Sequence, residues 1–141
     1  MDNTDENAFH ARLKGRFQGM LQWHQLDALW ARVKNGEWYV YQLGETLPHK
    51  PLSGDGLARR IDALDQLLRR EHDYSYCGIV YADDAEQPTL IKVYDPNHMG
   101  SSCSNGAAPS PPGWILSVSP PHTIELDAPA PNNRKRWWQL F

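Results

Sequence analysis

Cysteine is scarce. The 141 residues hold only Cys77 and Cys103, too few for a disulfide scaffold, which predicts a reducing compartment. A basic excess is missing as well: 14 Lys and Arg stand against 17 Asp and Glu, a net charge of −3. A dedicated nucleic-acid binder would carry the opposite balance to neutralise phosphates, so no nucleic-acid partner is expected. No apolar run approaches the ~20 residues that span a bilayer. The opening MDNTDENAFH lacks the charged-then-apolar order of a signal peptide. A cytoplasmic protein without a transmembrane segment is the expectation. The nucleotide-binding G-x-x-x-x-G-K, the serine elbow G-x-S-x-G and paired zinc-ligand spacings are also missing, and no cofactor is expected.

What is present suits an ordinary core. Apolar residues make up 40% and charged ones 22%, the balance of a soluble globular chain rather than a disordered one. The length allows one domain able to bury roughly two-thirds of its unfolded surface.

Phe9, Leu13 and Phe17, then Met20, Trp23, Leu26, Trp30 and Val33, recur at helical spacing, with Asp5 as N-cap and Asn35-Gly36 as a left-handed stop. Gly15 and Gly19 each cost ~1 kcal/mol against Ala inside a helix, so a break near Gly19 into two shorter helices is the alternative. EWYVYQL (Glu37–Leu43) reads as a strand with Trp38 and Val40 on one face and Tyr39 and Tyr41 on the other. Ser53 or Asp55 caps the next helix, whose stripe is Leu57, Ile61, Leu64 and Leu68. Tyr76–Ala82 and Thr89–Asp95 form a hairpin around Asp83–Pro88, and Trp114–Ser119 is a further strand.

The predicted architecture is an α+β two-layer sandwich in the order α-β-α-β-β-β. Two main helices pack on a mostly antiparallel sheet of four or five strands. Residues 1–119 form the domain, including a long 96–113 loop, and 120–141 form a proline-rich extension. Seven of the eleven prolines lie between Pro109 and Pro131.

The loop DPNHMGSSCSNG (Asp95–Gly106) concentrates reactive groups. Cys103 as nucleophile, His98 as its base and Asp95 or Asn97 as orienter would make a thiol-dependent enzyme, although catalytic partners usually come from distant segments. The plainer reading is a Gly/Ser/Asn loop with an inert thiol. Cys77, His98, Cys103 and His122 include the donor types of a tetrahedral zinc site without its spacing. Asp83-Asp84 reads as turn chemistry, because Asp bonds nearby backbone.

Six Trp and six Tyr are a heavy load of groups with apolar bodies and polar tips. Tyr39, Tyr41, Tyr74, Tyr76, Tyr81 and Tyr94 fall in or beside expected strands, as core edges or as a tyrosine-bearing contact face, with Tyr39 and Tyr41 as its binding candidates. Trp23, Trp30, Trp38 and Trp114 are candidates to line a small-ligand pocket between sheet and helices. At the other end, Arg134, Lys135 and Arg136 precede Trp137, Trp138 and Phe141, a pattern of steering charge followed by aromatic anchors. The resulting expectation is a non-enzymatic binding or accessory module acting through protein–protein contacts, with another protein or itself. A thiol enzyme and a small-ligand or metal-binding domain are the alternatives.

Overall fold

The structure, a computed structural model, describes residues 3–72, 74–96 and 112–122. Three helices and five strands follow in the order α1 (Asn3–Leu13), β1 (Gln18–Gly19), α2 (Trp23–Lys34), β2 (Tyr39–Gln42), α3 (Gly54–Glu71), β3 (Val80–Ala82), β4 (Leu90–Val93) and β5 (Trp114–Ser117). The sheet is antiparallel with strand order β1-β3-β4-β5-β2. The chain is an α+β protein, as its sequence predicts. No helix among the described residues is long and apolar enough to cross a membrane.

The periodic run from Phe9 to Val33 is two helices, not one. Gly19 shows why the chain turns into a strand there. It lies in β1 opposite Tyr81, and a Cβ would stand 3.0 Å from the Tyr81 ring. After it, Gln25 Oε1 accepts the backbone N–H groups of Leu21 and Gln22, each at 2.9 Å, supplying partners where the new helix cannot. At the far end of α2, Asn35 stays right-handed at φ −83°, and the expected left-handed stop does not form.

Strand alternation sorts the core into two clusters. Trp38, Val40, Val80, Ala82, Ile91, Val93, Trp114 and Leu116 face α2 and α3, meeting Leu26, Trp30, Leu57, Ile61, Leu64 and Leu68. This is the predicted pair of helices on one sheet face. The opposite face carries Tyr41, Leu43, Leu90 and Ile115, and Phe9 of α1 packs on them. The helix that a single long α-segment would have absorbed therefore covers the second face. Tyr41, expected on a contact surface, is 2% exposed.

The β3–β4 hairpin is held by its turn carboxylates. Asp83 Oδ1 accepts the N–H groups of Asp84, Thr89 and Leu90, and its other oxygen accepts the Thr89 hydroxyl. Asp84 Oδ1 accepts Glu86 N–H at 2.8 Å and Gln87 N–H at 3.2 Å. Arg12 of α1 donates to Thr89 Oγ1 at 2.6 Å and stands 4.0 Å from Asp83, so the turn also fastens α1. Burial pushes the Asp83 carboxyl up, but the Thr89 hydroxyl and the amides of Thr89, Leu90 and Asp84 outweigh it and hold it below its ordinary value.

Two outcomes follow for stability. Phe9→Ala opens the α1 face and costs about 3 kcal/mol in urea unfolding. Asp83→Ala costs about 2 kcal/mol at neutral pH. Because the folded pKa of Asp83 lies below the unfolded one, its contribution is present above about pH 3.9 and fades as pH falls through the folded value. Unfolding curves of wild type and Asp83→Ala should therefore converge in acid, and a gap that ignores pH would contradict this assignment.

Candidate contact surface

Beyond β1 and β3 the two segments keep pairing. Met20 N–H donates to Val80 O, Gly78 N–H to Met20 O and Cys77 N–H to Leu21 O, each at 2.8 Å. This ribbon ends at the C-terminus of α3, where His72 N–H closes on Leu68 O at 2.8 Å. Here the segments that carry Leu21, Trp23, Tyr74 and Tyr76 are joined, by Cys77 N–H on Leu21 O and the Trp23 indole on Tyr74 O. Leu21 is 62%, Tyr74 59% and Tyr76 50% exposed, while Trp23 is half-buried at the core margin.

The gathering is organised rather than loose. The Tyr74 and Tyr76 rings stack with centroids 5.5 Å apart and planes 17° from parallel. His72, itself buried, meets Tyr74 edge-on at 4.7 Å, with Tyr76 at 6.1 Å and Trp23 at 6.2 Å. Its Nε2 lies 2.8 Å from Cys77 O. A carbonyl only accepts, so Nε2 carries the proton. The Trp23 indole N–H donates to Tyr74 O at 3.0 Å, joining α2 to the segment after α3.

Arg69 underlies the surface. Its guanidinium sits 4.8 Å from the Trp23 ring centroid, a cation–π contact. The same group donates to both Asp65 oxygens at 3.0 Å and to Asp27 Oδ1 at 2.7 Å. Asp65 in turn accepts the Trp30 indole N–H at 3.1 Å. A network from α2 and α3 thus props Trp23 from below.

The residues singled out from the sequence distribute otherwise. Tyr39 is half-buried and Tyr41 buried. Trp30, Trp38 and Trp114 are core residues, so with Trp23 they fill the space in which a ligand pocket was expected. A groove of about 480 Å³ does occur, but it runs between Leu52 and the first turns of α3, beside Arg59 and Arg60. Asp95 is buried just past β4, against Gly113. His98, Cys103, Arg134, Lys135, Arg136, Trp137, Trp138 and Phe141 lie outside the described residues.

Cys77 and His122 do not come together. Cys77 belongs to the α2/α3 core, and burial pushes its thiol up, away from the thiolate that a metal or an electrophile needs. His122 packs on Phe9 over the other sheet face, so the sheet stands between the two. Among the described residues no group of three or more His, Cys, Asp or Glu could hold a metal ion.

Sequence reasoning missed Trp23 as a surface residue because it sat on what read as one helical stripe, and it did not single out Leu21 at all. Tyr74 and Tyr76 were visible as tyrosines beside a strand. Their joint exposure, just before the left-handed Gly78 with φ +73°, is a feature of the folded chain. Comparison with protein-family models, with curated proteins and with solved structures gave no match.

Gly78 is where the surface is most easily disturbed. A Cβ there would stand 3.2 Å from the Tyr76 ring, and the left-handed backbone disfavours any side chain. Gly78→Ala should cost about 1 kcal/mol and change the near-ultraviolet circular dichroism as Tyr76 leaves Tyr74. An unchanged aromatic spectrum would show that the stack does not depend on this glycine.

Proposed function

We propose that the chain is a non-enzymatic binding or accessory module that acts through protein–protein contacts, with Leu21, Trp23, Tyr74 and Tyr76 as its contact face. One observation carries the reading: exposed aromatic side chains are stacked on one another and braced by buried neighbours. Tyrosine and tryptophan held in this way bring contact area at low entropic cost, the character of residues that dominate binding energy in interfaces. The basic-aromatic stretch Arg134–Phe141 joins the same reading as a second contact element.

The thiol-enzyme alternative depends on His98 and Cys103, and Asp95 is its sole member among the described residues. The contact reading draws on four placed side chains and is preferred. The partner expected is another protein chain.

The test is crosslinking at defined positions. A photoreactive residue replacing Leu21 should trap one discrete partner polypeptide in cells. Replacing Val118, also exposed at 42% but distant in the chain, should not. Adding Tyr74→Ser and Tyr76→Ser should remove the adduct while leaving the melting temperature within a few degrees. An adduct that survives the serine pair, or equal adducts from both positions, would contradict the assignment.

A further inference from the structure

We infer that the aromatic surface takes a short proline-rich segment of a partner protein, held in the extended polyproline conformation. This rests on the contact reading above and narrows it to one ligand chemistry. Area comes first. Taking about 200 Å² for a full aromatic side chain, the exposed parts of Leu21, Tyr74 and Tyr76 together present on the order of 300–400 Å². A stable interface between folded domains, a second copy of this chain included, needs roughly 800 Å² from each partner. The surface is sized for a few extended residues.

The polar groups then select among the ways a short segment binds. Strand addition needs an open edge. At this surface no continuous row of free backbone groups is offered: Leu21 N–H goes to Gln25 Oε1 and its carbonyl accepts Cys77 N–H, while Gln22 N–H also goes to Gln25. Tyr74 N–H donates to His72 O, and Tyr74 O accepts the Trp23 indole. Helix docking needs a concave groove for an apolar face, whereas Tyr74, Tyr76 and Leu21 stand proud of the surface at half exposure or more.

What is left free suits proline. Among the described residues the Tyr74 and Tyr76 hydroxyls make no hydrogen bond. They are donors beside exposed ring faces. A polyproline helix offers the complement: carbonyl acceptors without N–H donors, rings that pack flat on aromatic faces, and little conformational entropy left to lose. Arg69 and His72 brace the rings from beneath, so their geometry is set before the ligand arrives.

The experiment is a titration of the full-length chain, isotopically labelled, with a deca-proline peptide and with a glycine-serine peptide of equal length. Deca-proline should shift the Trp23 indole resonance and the amides of residues 74–78 with saturation, and the glycine-serine peptide should not. Tyr76→Ala should weaken the deca-proline affinity at least about fivefold, and Tyr76→Phe by a smaller factor through loss of the hydroxyl alone. No saturable shift, or shifts centred elsewhere, would overturn the proline assignment. If the position-21 adduct persists in that event, the protein-contact reading stands and the ligand chemistry alone has failed. If it is absent too, both fall.

Discussion

Strands β4 and β5 carry large apolar residues on both faces, and the need to cover both sides of this pair organises the molecule. Trp114 and Leu116 point one way and Ile115 the other, with Leu90 opposed to Ile91 and Val93 beside them. One layer of helices leaves half of these groups in water. Each such residue is worth roughly 1.5–3 kcal/mol when buried, so leaving one face open would cost as much as a small domain's whole stability. The α2/α3 pair answers one face and α1 the other, and the Arg12–Thr89–Asp83 contacts tie α1 to the hairpin.

That division explains which aromatic groups are left over. Trp30, Trp38, Trp114 and Tyr41 are used up in the two cores. Tyr81 and Tyr94 meet edge-to-face at 5.7 Å and are half-buried. Burial, with Tyr81 alongside, pushes the Tyr94 phenol up. Trp23, Tyr74 and Tyr76 lie where α2 begins and α3 ends, Trp23 packed on the margin of one core and the two tyrosines exposed. The contact surface is the part of the aromatic inventory for which the layers had no room, fixed in place by His72 and Arg69.

Legibility varied with the kind of signal. The α3 stripe of Leu57, Ile61, Leu64 and Leu68 is unambiguous because its charged residues fill the remaining arc, and the helix forms where the spacing places it. The hairpin was readable from two β-rich runs and an Asp-rich turn. The 9–33 run misled because residues on both sides of a bend can keep helical spacing by coincidence. Propensity marked the glycines there as costly without showing that Tyr81 occupies the space a side chain at position 19 would need. The contact surface was less legible still, since a tyrosine in a half-buried strand and one on a braced turn look alike in one dimension.

The order of residues alone determined the secondary-structure class, the pairing of two helices on one sheet face and the turn chemistry of Asp83 and Asp84. These follow from periodicity and local hydrogen bonding, which act between near neighbours. Tertiary structure alone decided that α1 crosses to the second face, that Tyr41 is buried while Tyr74 and Tyr76 are not, and that Cys77 and His122 are separated by the sheet. Such outcomes depend on which distant segments compete for the same apolar area, and that competition is settled only when the layers close.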